Sequence, residues 1–206
     1  MRLTPVLAWS FVLCAGGALA AGDGMTAVRL RGVDGRAVRP FVATGKASVA
    51  FFVATDCPVS NSYAPVIQRV CQEYAPRGVT CSLIYEDVDT HASNAHLDLQ
   101  VRRHLEEYRY AGLPAAIDRD RTAATAARAT VTPQAVVVDR AGEVRYRGRI
   151  DNLYAALGKT RQQVTSHDLR DGLDAVLSGR RVRNPETDAV GCYITDPALL
   201  RKHDHE

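Results

Sequence analysis

The sequence of 206 residues lacks the features that mark several classes of protein. Its net charge is only +3, which is too small to indicate a nucleic-acid-binding protein. Glycine (15 residues) and proline (9) are scarce and no heptad repeat is sustained, which excludes collagen-like and coiled-coil rods. Hydrophobic residues make up 46%, which argues against a disordered chain. The length and composition therefore predict one globular domain of roughly 150–190 residues with appendages.

Long apolar runs are also absent, and one short run stands near the N-terminus. Residues 6–13 are apolar apart from Ser10, they follow Arg2, and they precede Ala-Leu-Ala at residues 18–20. This order is typical of a secretory signal peptide, and the run is too short to span a bilayer. We predict a signal peptide at residues 1–20 and a soluble protein that is periplasmic or secreted. An uncleaved N-terminal anchor is the alternative.

The five cysteines include no C-x-x-C pair, so a zinc ribbon or finger has no support. Cys14 belongs to the predicted signal peptide, which leaves Cys57, Cys71, Cys81 and Cys192. In an oxidising compartment these four thiols can form two disulfides in any of three pairings. Because Cys71 lies on the apolar face of a predicted helix and Cys81 in the next strand, we predict that these two form a structural disulfide or remain two buried thiols.

Apolar periodicity predicts alternating strands and helices. The continuous apolar run at residues 47–54 is typical of a central strand covered on both faces, and Ser60 or Asn61 can cap the helix that follows. A charged, irregular tail at residues 183–206 carries Cys192. The other predicted elements are a short hairpin with strands at residues 28–30 and 37–38, a short strand or loop at 113–117, strands at 79–85, 135–138 and 144–147, helices at 93–108 and 122–128, and a last helix capped by Ser166. This order predicts an α/β fold with a mixed central sheet and helices on both faces.

Cys57 lies just after the predicted central strand and just before the predicted helix. Free N–H groups and the positive end of the helix dipole stabilise a thiolate at such a place. Cysteines there have pKa values lowered from about 8.5 towards roughly 3.5–7.5. A second unusual feature is Thr132-Pro133, which stands directly before a strand that proline cannot join as an ordinary ladder residue.

These features carry a resemblance to a known family. Residues 56–65 resemble the D-C-P-x-[SA]-N-x-Y-x-P segment of the thioredoxin-like superfamily, in the exported redoxin branch of the alkyl hydroperoxide reductase/thiol-specific antioxidant (AhpC/TSA) type. Residues 132–134 are similar to the family's T-P-x, residues 146–151 to its Y-R-G-x-I-D, and residues 191–194 to its G-C-x-I. The resemblance implies a thioredoxin-like domain at residues 21–182, with a cis proline that faces the active cysteine.

Departures from the family patterns limit what the resemblance implies. Ser60 replaces the second cysteine of the thioredoxin C-x-x-C, so a disulfide within the motif is impossible. Ala54 stands where peroxiredoxins place Thr or Ser, and Asn61 stands where copper-delivering redoxins place a second cysteine. The site therefore needs a partner sulfur from elsewhere in the chain. We predict no cofactor and no metal for it.

The resulting hypothesis is an exported thiol–disulfide oxidoreductase that acts on protein thiols or disulfides. Cys57 is the predicted nucleophile and Cys192 the candidate resolving cysteine, which forms a Cys57–Cys192 bridge. Thr132 and Pro133 would shape the groove for a partner chain, and Ser60 would help to stabilise the thiolate. The alternatives are a hydroperoxide reductase acting on small hydroperoxides, a Cys57–Cys192 bridge that only fastens the tail, and a non-catalytic module that uses both thiolates as metal ligands.

Other polar residues are predicted to have ordinary roles. His104 in the middle of a predicted helix and Glu86 at a strand end are expected to be solvated surface side chains. Arg147 and Arg149 are expected to lie on one polar strand face, with a contact to the site as the alternative.

Overall fold

The structure, a computed structural model, describes residues 23–86, 92–110 and 112–195. The predicted signal peptide at residues 1–20 lies outside the described residues, and so do residues 196–206 of the predicted tail.

Five helices and eleven strands are formed within the described residues. The helices are α1 Asp23–Thr26, α2 Pro58–Tyr74, α3 Asn94–Glu107, α4 Thr122–Ala127 and α5 Asp168–Leu177, with a 3₁₀ turn at Ala75–Arg77 after α2. The strands are β1 Leu30–Arg31, β2 Ala37–Val38, β3 Ala47–Val53, β4 Val79–Tyr85, β5 Ala115–Ile117, β6 Val131–Thr132, β7 Gln134–Asp139, β8 Val144–Gly148, β9 Tyr154–Ala156, β10 Lys159–Thr160 and β11 Cys192–Tyr193.

The central sheet has five strands in the order β5-β4-β3-β7-β8. The pairs β3–β4 and β4–β5 are parallel, whereas β7 is antiparallel to both β3 and β8. Every residue of β3 is buried, as expected for a strand that is covered on both faces. The sheet is therefore mixed, as the order of elements predicted.

Helices cover both faces of this sheet. Phe51 of β3 belongs to a core that contains buried side chains of α2, α3 and α5. Its neighbour Phe52 points to the other face, where it packs with α1, α4 and Phe41. This arrangement confirms the predicted α/β architecture. Within the described residues, no helix has the length and apolar character that a membrane crossing requires.

Two predicted helix caps are wrong. The N-cap of α2 is Cys57 itself, because Pro58 occupies the first helical turn and starts the helix before Ser60 and Asn61. The N-cap of α5 is His167, which makes no capping hydrogen bond with its side chain, and Ser166 lies outside the helix. Pairing between distant segments also gives β6 and β11, and a local hairpin gives β9 and β10; the sequence pattern predicted none of these four strands.

Residues 183–195, here called the C-terminal segment, follow a fixed path over the domain. The segment first runs beside β8, where the Arg147 amide donates to the Pro185 carbonyl (2.9 Å) and the Thr187 amide donates to the Arg147 carbonyl (3.0 Å). It then reaches β6, which pairs antiparallel with β11. The segment is irregular in secondary structure apart from β11 and a bridge between Glu186 and Arg147, both of which come from pairing with distant strands.

Candidate active site

The Cys57 sulfur lies where β3 ends and α2 begins. As N-cap, its Sγ accepts a hydrogen bond from the Ser60 amide at 3.4 Å. In the thiol form, Sγ–H donates to the Thr132 carbonyl at 3.1 Å. The Cys57 sulfur thus accepts a hydrogen bond from an N–H group in the first turn of α2 and lies at the positive end of the α2 dipole, as predicted from its place in the sequence.

Thr132 and Pro133 are brought beside Cys57 by the sheet. Gln134, the first residue of β7, pairs with Phe52 of β3, so the residues just before β7 lie near the end of β3. The Thr132–Pro133 peptide bond is cis.

Cys192 reaches the same place from the C-terminal segment. It pairs with Thr132 across β11 and β6, and its side chain is in hydrogen-bond contact with Cys57. Gly191 makes this approach possible, since a Cβ there would lie 2.0 Å from the Thr132 carbonyl oxygen. Both cysteines are free thiols.

The two thiols have opposite pKa shifts. Burial raises the pKa of Cys57, but hydrogen bonds to its sulfur outweigh this effect, so the pKa lies below the usual cysteine value. The groups that lower it belong to Cys192, Thr132 and Ser60. Burial and the adjacent Cys57 sulfur raise the pKa of Cys192 to about 12. Of the two thiols, Cys57 is therefore the more acidic.

Two buried hydroxyl groups belong to residues that contact the Cys57 sulfur. Ser60 and Thr132 are each 1% exposed. The Ser60 hydroxyl has no hydrogen-bond partner among the described residues. The Thr132 hydroxyl has none either except the Cys57 sulfur, whose pKa it lowers. A buried hydroxyl of this kind can donate to a group that comes within hydrogen-bond distance of it.

The sulfur of Cys57 is covered in this conformation. Cys57 has no exposed surface, Cys192 is half-buried, and the next residue, Tyr193, is 81% exposed. The C-terminal segment is therefore part of the cover over Cys57.

Cys71 and Cys81 meet elsewhere, between α2 and β4. Their side chains are in hydrogen-bond contact and both are free thiols. The hydrogen bond to Cys81, followed by burial, raises the pKa of Cys71. The predicted disulfide between them stays a prediction.

His104 was predicted to be a solvated surface residue, and this is wrong. It is 5% exposed, and its ring nitrogens contact the Tyr85 hydroxyl at 2.9 Å and the Asn61 side-chain oxygen at 2.8 Å. The sequence did hold a signal, because His104 follows Val101 by three residues and so continues the apolar face of its helix.

The predictions for the charged residues also need correction. Glu86 is buried in an ion pair with Arg121. Arg147 is buried and donates from Nε to the Ala127 carbonyl at 2.5 Å, and Arg149 pairs with Asp168 at 2.8 Å. These contacts support the C-terminal half of the fold, and none of those found for either arginine is to Cys57.

The motif residues outside the site contact one another. The Tyr63 hydroxyl donates to Asp151 at 2.6 Å, which joins the cysteine motif to the Y-R-G-x-I-D segment. The Tyr146 hydroxyl lies 2.7 Å from that of Thr187 in the C-terminal segment. Gly148 has a φ of 150°, and a Cβ there would lie 2.1 Å from the Thr187 hydroxyl oxygen. No group of three or more potential metal ligands occurs among the described side chains.

Comparisons with known proteins identify the family of this chain. The AhpC/TSA family model matches residues 21–147. No curated protein matches the chain.

Solved structures share the fold. An uncharacterized conserved protein from Geobacillus kaustophilus is 28% identical, with a TM-score of 0.70 over 81% of this chain and 87% of that one. A hypothetical protein from Sinorhizobium meliloti 1021 is 27% identical, with a TM-score of 0.68 over 81% and 89%. A secreted disulfide oxidoreductase from Mycobacterium tuberculosis shares the fold at 16% identity, with a TM-score of 0.51 over 76% and 98%. The chain has the thioredoxin-like fold and belongs to the AhpC/TSA family.

Proposed function

We propose that the protein is an exported thiol–disulfide oxidoreductase in which Cys57 attacks and Cys192 resolves. The observation that carries this proposal is the contact between the two thiols, with the more acidic one at the helix start. The family supports thiol-based redox chemistry, and the site supplies the second sulfur that the motif itself lacks.

The chemistry requires two exchange steps. The Cys57 thiolate attacks one sulfur of a partner disulfide, which forms a mixed disulfide and releases the other partner sulfur as a thiolate. Cys192 then loses its proton to the solvent or to the released thiolate and attacks the Cys57 sulfur. The products are a Cys57–Cys192 disulfide and a reduced partner, so two electrons pass from the protein to the partner. The oxidised protein can run the same steps in reverse.

The cover over Cys57 adds a condition to this mechanism. Because Cys57 has no exposed surface, β11 must move before a partner sulfur can reach it. The same strand must return for Cys192 to attack the mixed disulfide. Partner chains of protein size, with a disulfide on an accessible segment, fit this requirement. Such a segment would contact Thr132 and Pro133, which are buried here and become exposed only after β11 has moved.

The test compares Cys192→Ser with Cys81→Ser, a matched cysteine variant away from the site. Each reduced protein is treated with insulin, and the bonded cysteines are mapped by peptide mass. Wild type and Cys81→Ser should reduce insulin and form the Cys57–Cys192 disulfide, whereas Cys192→Ser should accumulate a mixed disulfide at Cys57. Cys57→Ser should do neither. Pairing of Cys57 with Cys71 or Cys81, or full insulin reduction by Cys192→Ser, would remove the role given to Cys192.

The buried hydroxyls favour a second candidate function, the reduction of small hydroperoxides. Ser60 and Thr132 could donate to the oxygens of a bound peroxide. The Cys57 thiolate would attack one oxygen and become a sulfenic acid, an alcohol or water would leave, and Cys192 would condense with the sulfenic acid to give the disulfide and water. Dimedone labelling of Cys57 in Cys192→Ser after peroxide treatment tests this function. Labelling no greater than in Cys57→Ser would reject it.

Export is the second part of the proposal. It is supported by residues 1–20, which have the charge, apolar run and Ala-Leu-Ala site of a signal peptide, and the oxidising compartment it predicts suits a two-cysteine couple. The mass of the mature protein recovered from the periplasm or medium should correspond to cleavage after Ala20. A full-length chain retained in the membrane fraction would instead support the uncleaved anchor.

A further inference from the structure

A chain of hydrogen bonds joins α3 and β4 to the turn before Cys57. The Tyr85 hydroxyl lies 2.9 Å from His104 Nδ1, and His104 Nε2 lies 2.8 Å from Asn61 Oδ1. The Asn61 amide group then donates to the Thr55 carbonyl at 3.0 Å. None of the steps proposed above uses His104, although it is buried and titratable.

The positions of the protons follow from the partners. Because the Asn61 amide group donates to a carbonyl, its Oδ1 must accept from His104, and Nε2 must carry the hydrogen. The other nitrogen, Nδ1, then accepts from the Tyr85 hydroxyl. A neutral imidazole satisfies both bonds, and burial, which lowers the pKa of His104 to about 4, keeps it neutral.

Asn61 holds the chain on both sides of the reactive cysteine. Its backbone amide donates to the Cys57 carbonyl at 2.9 Å, while its side chain holds Thr55, two residues before Cys57. A second contact from α3 supports the same turn, since Gln100 Nε2 donates to the Thr55 hydroxyl at 2.6 Å. Two atoms of Thr55 therefore link the turn before Cys57 to α3. The hydroxyl bonds to Gln100 directly, and the carbonyl bonds to Asn61, which His104 contacts.

We propose that His104 is a positioning residue for Cys57 and acts through Asn61 and the carbonyl of Thr55. Its Nε2–H fixes the Asn61 amide, the amide fixes the turn, and the turn keeps Sγ at the Ser60 amide and beside Cys192. Without this donor the turn relaxes, and the hydrogen bonds that stabilise the thiolate lengthen. The proposal rests on the proposed function only in that it takes Cys57 as the reactive sulfur.

Two polar substitutions separate the two ring nitrogens. His104→Gln keeps an amide donor near the position of Nε2, whereas His104→Asn keeps a polar group near Nδ1 and loses the donor to Asn61. The thiolate of Cys57 is titrated by absorbance at 240 nm from pH 4 to 9, as the difference from the same protein with Cys57→Ser. His104→Asn should raise the midpoint by about one unit, the equivalent of one lost hydrogen bond to a charged group. His104→Gln and the exposed control His96→Gln should stay near the wild-type midpoint.

A second variant keeps the proposal open to refutation if His104→Asn does not fold. Asn61→Ala removes the acceptor for His104 and should give the same rise, with no further change when combined with His104→Gln. A wild-type midpoint in folded His104→Asn, or in Asn61→Ala, would overturn the proposal. The midpoint reports on the thiolate alone, so absence of insulin reduction in the wild type would count against the proposed function and leave this inference standing.

Discussion

Gly191→Ala tests whether the C-terminal segment brings the second sulfur to the site. The added Cβ would lie 2.0 Å from the Thr132 carbonyl oxygen and 2.6 Å from its carbonyl carbon. Ordinary contact begins at 3.4 Å, so β11 must move away by about 1.4 Å. Overpacking of this kind costs about 1–3 kcal/mol. The substitution weakens the pairing of β11 with β6 by that free energy. The fraction of molecules in which Cys57 is uncovered therefore rises by about 5- to 150-fold.

The assay is the rate at which iodoacetamide alkylates Cys57 in the reduced protein, with the labelled cysteine identified by peptide mass. Gly191→Ala should be alkylated faster by that factor and should form the Cys57–Cys192 disulfide more slowly. Gly24→Ala is the matched control, because a Cβ at residue 24 meets nothing within 4 Å. If folded Gly191→Ala reacts at the wild-type rate, the C-terminal segment does not control access to Cys57.

Three further predictions concern other parts of the fold. Burial lowers the pKa of His104 to about 4 from 6.5, so its contribution to stability in urea should be constant above pH 6.5 and fall by about 3 kcal/mol between pH 6.5 and 4, a fall that His104→Gln should lack. A wild-type profile parallel to that of His104→Gln over this range would contradict this. Treatment with oxidised glutathione should form a Cys71–Cys81 disulfide, which mass mapping would detect, and should raise the free energy of unfolding in urea by about 2–3 kcal/mol. Finding only mixed disulfides with glutathione would refute this prediction. Tyr63→Phe should lower the free energy of unfolding in urea by about 1–3 kcal/mol, because the buried hydroxyl donates to the Asp151 carboxylate at 2.6 Å. An unchanged unfolding midpoint would show that this hydrogen bond does not stabilise the fold.

The sequence predicted well those elements whose order is local. The strands β3 and β4 were predicted to within one residue, because continuous apolar runs favour strands that are covered on both faces. The start of α3 was predicted to within one residue from its apolar spacing, and its N-cap is Ser93, whose hydroxyl accepts from the His96 amide at 3.2 Å. The place of Cys57 between a strand and a helix predicted the direction of its pKa shift, but the hydrogen bonds from Cys192 and Thr132 lower the pKa more than the Ser60 amide does.

The sequence could not predict features that depend on distant contacts. The strand β11 is two residues long and exists only because it pairs with Val131 and Thr132, so no local periodicity indicates it. The burial of His104 was missed because its polar partner Asn61 lies 43 residues earlier in the chain. Helical spacing placed this histidine near the core, but spacing alone does not show whether a polar side chain finds a partner there.

Several motif residues that take no part in the proposed chemistry hold segments of the chain together. Tyr63 joins α2, the helix that begins after Cys57, to Asp151, and Gly148 lets Thr187 pack against the end of β8. Further along, Gly191 lets the chain touch Thr132. The contacts at Gly148 and Gly191 each fix a point on the path between the domain and Cys192. A C-x-x-C site needs no such path, because its second sulfur lies in the same helical turn. A site that takes its second sulfur from the C-terminal segment needs the chain held at such points, and this is a physical reason why glycines at residues 148 and 191 occur together with Cys192.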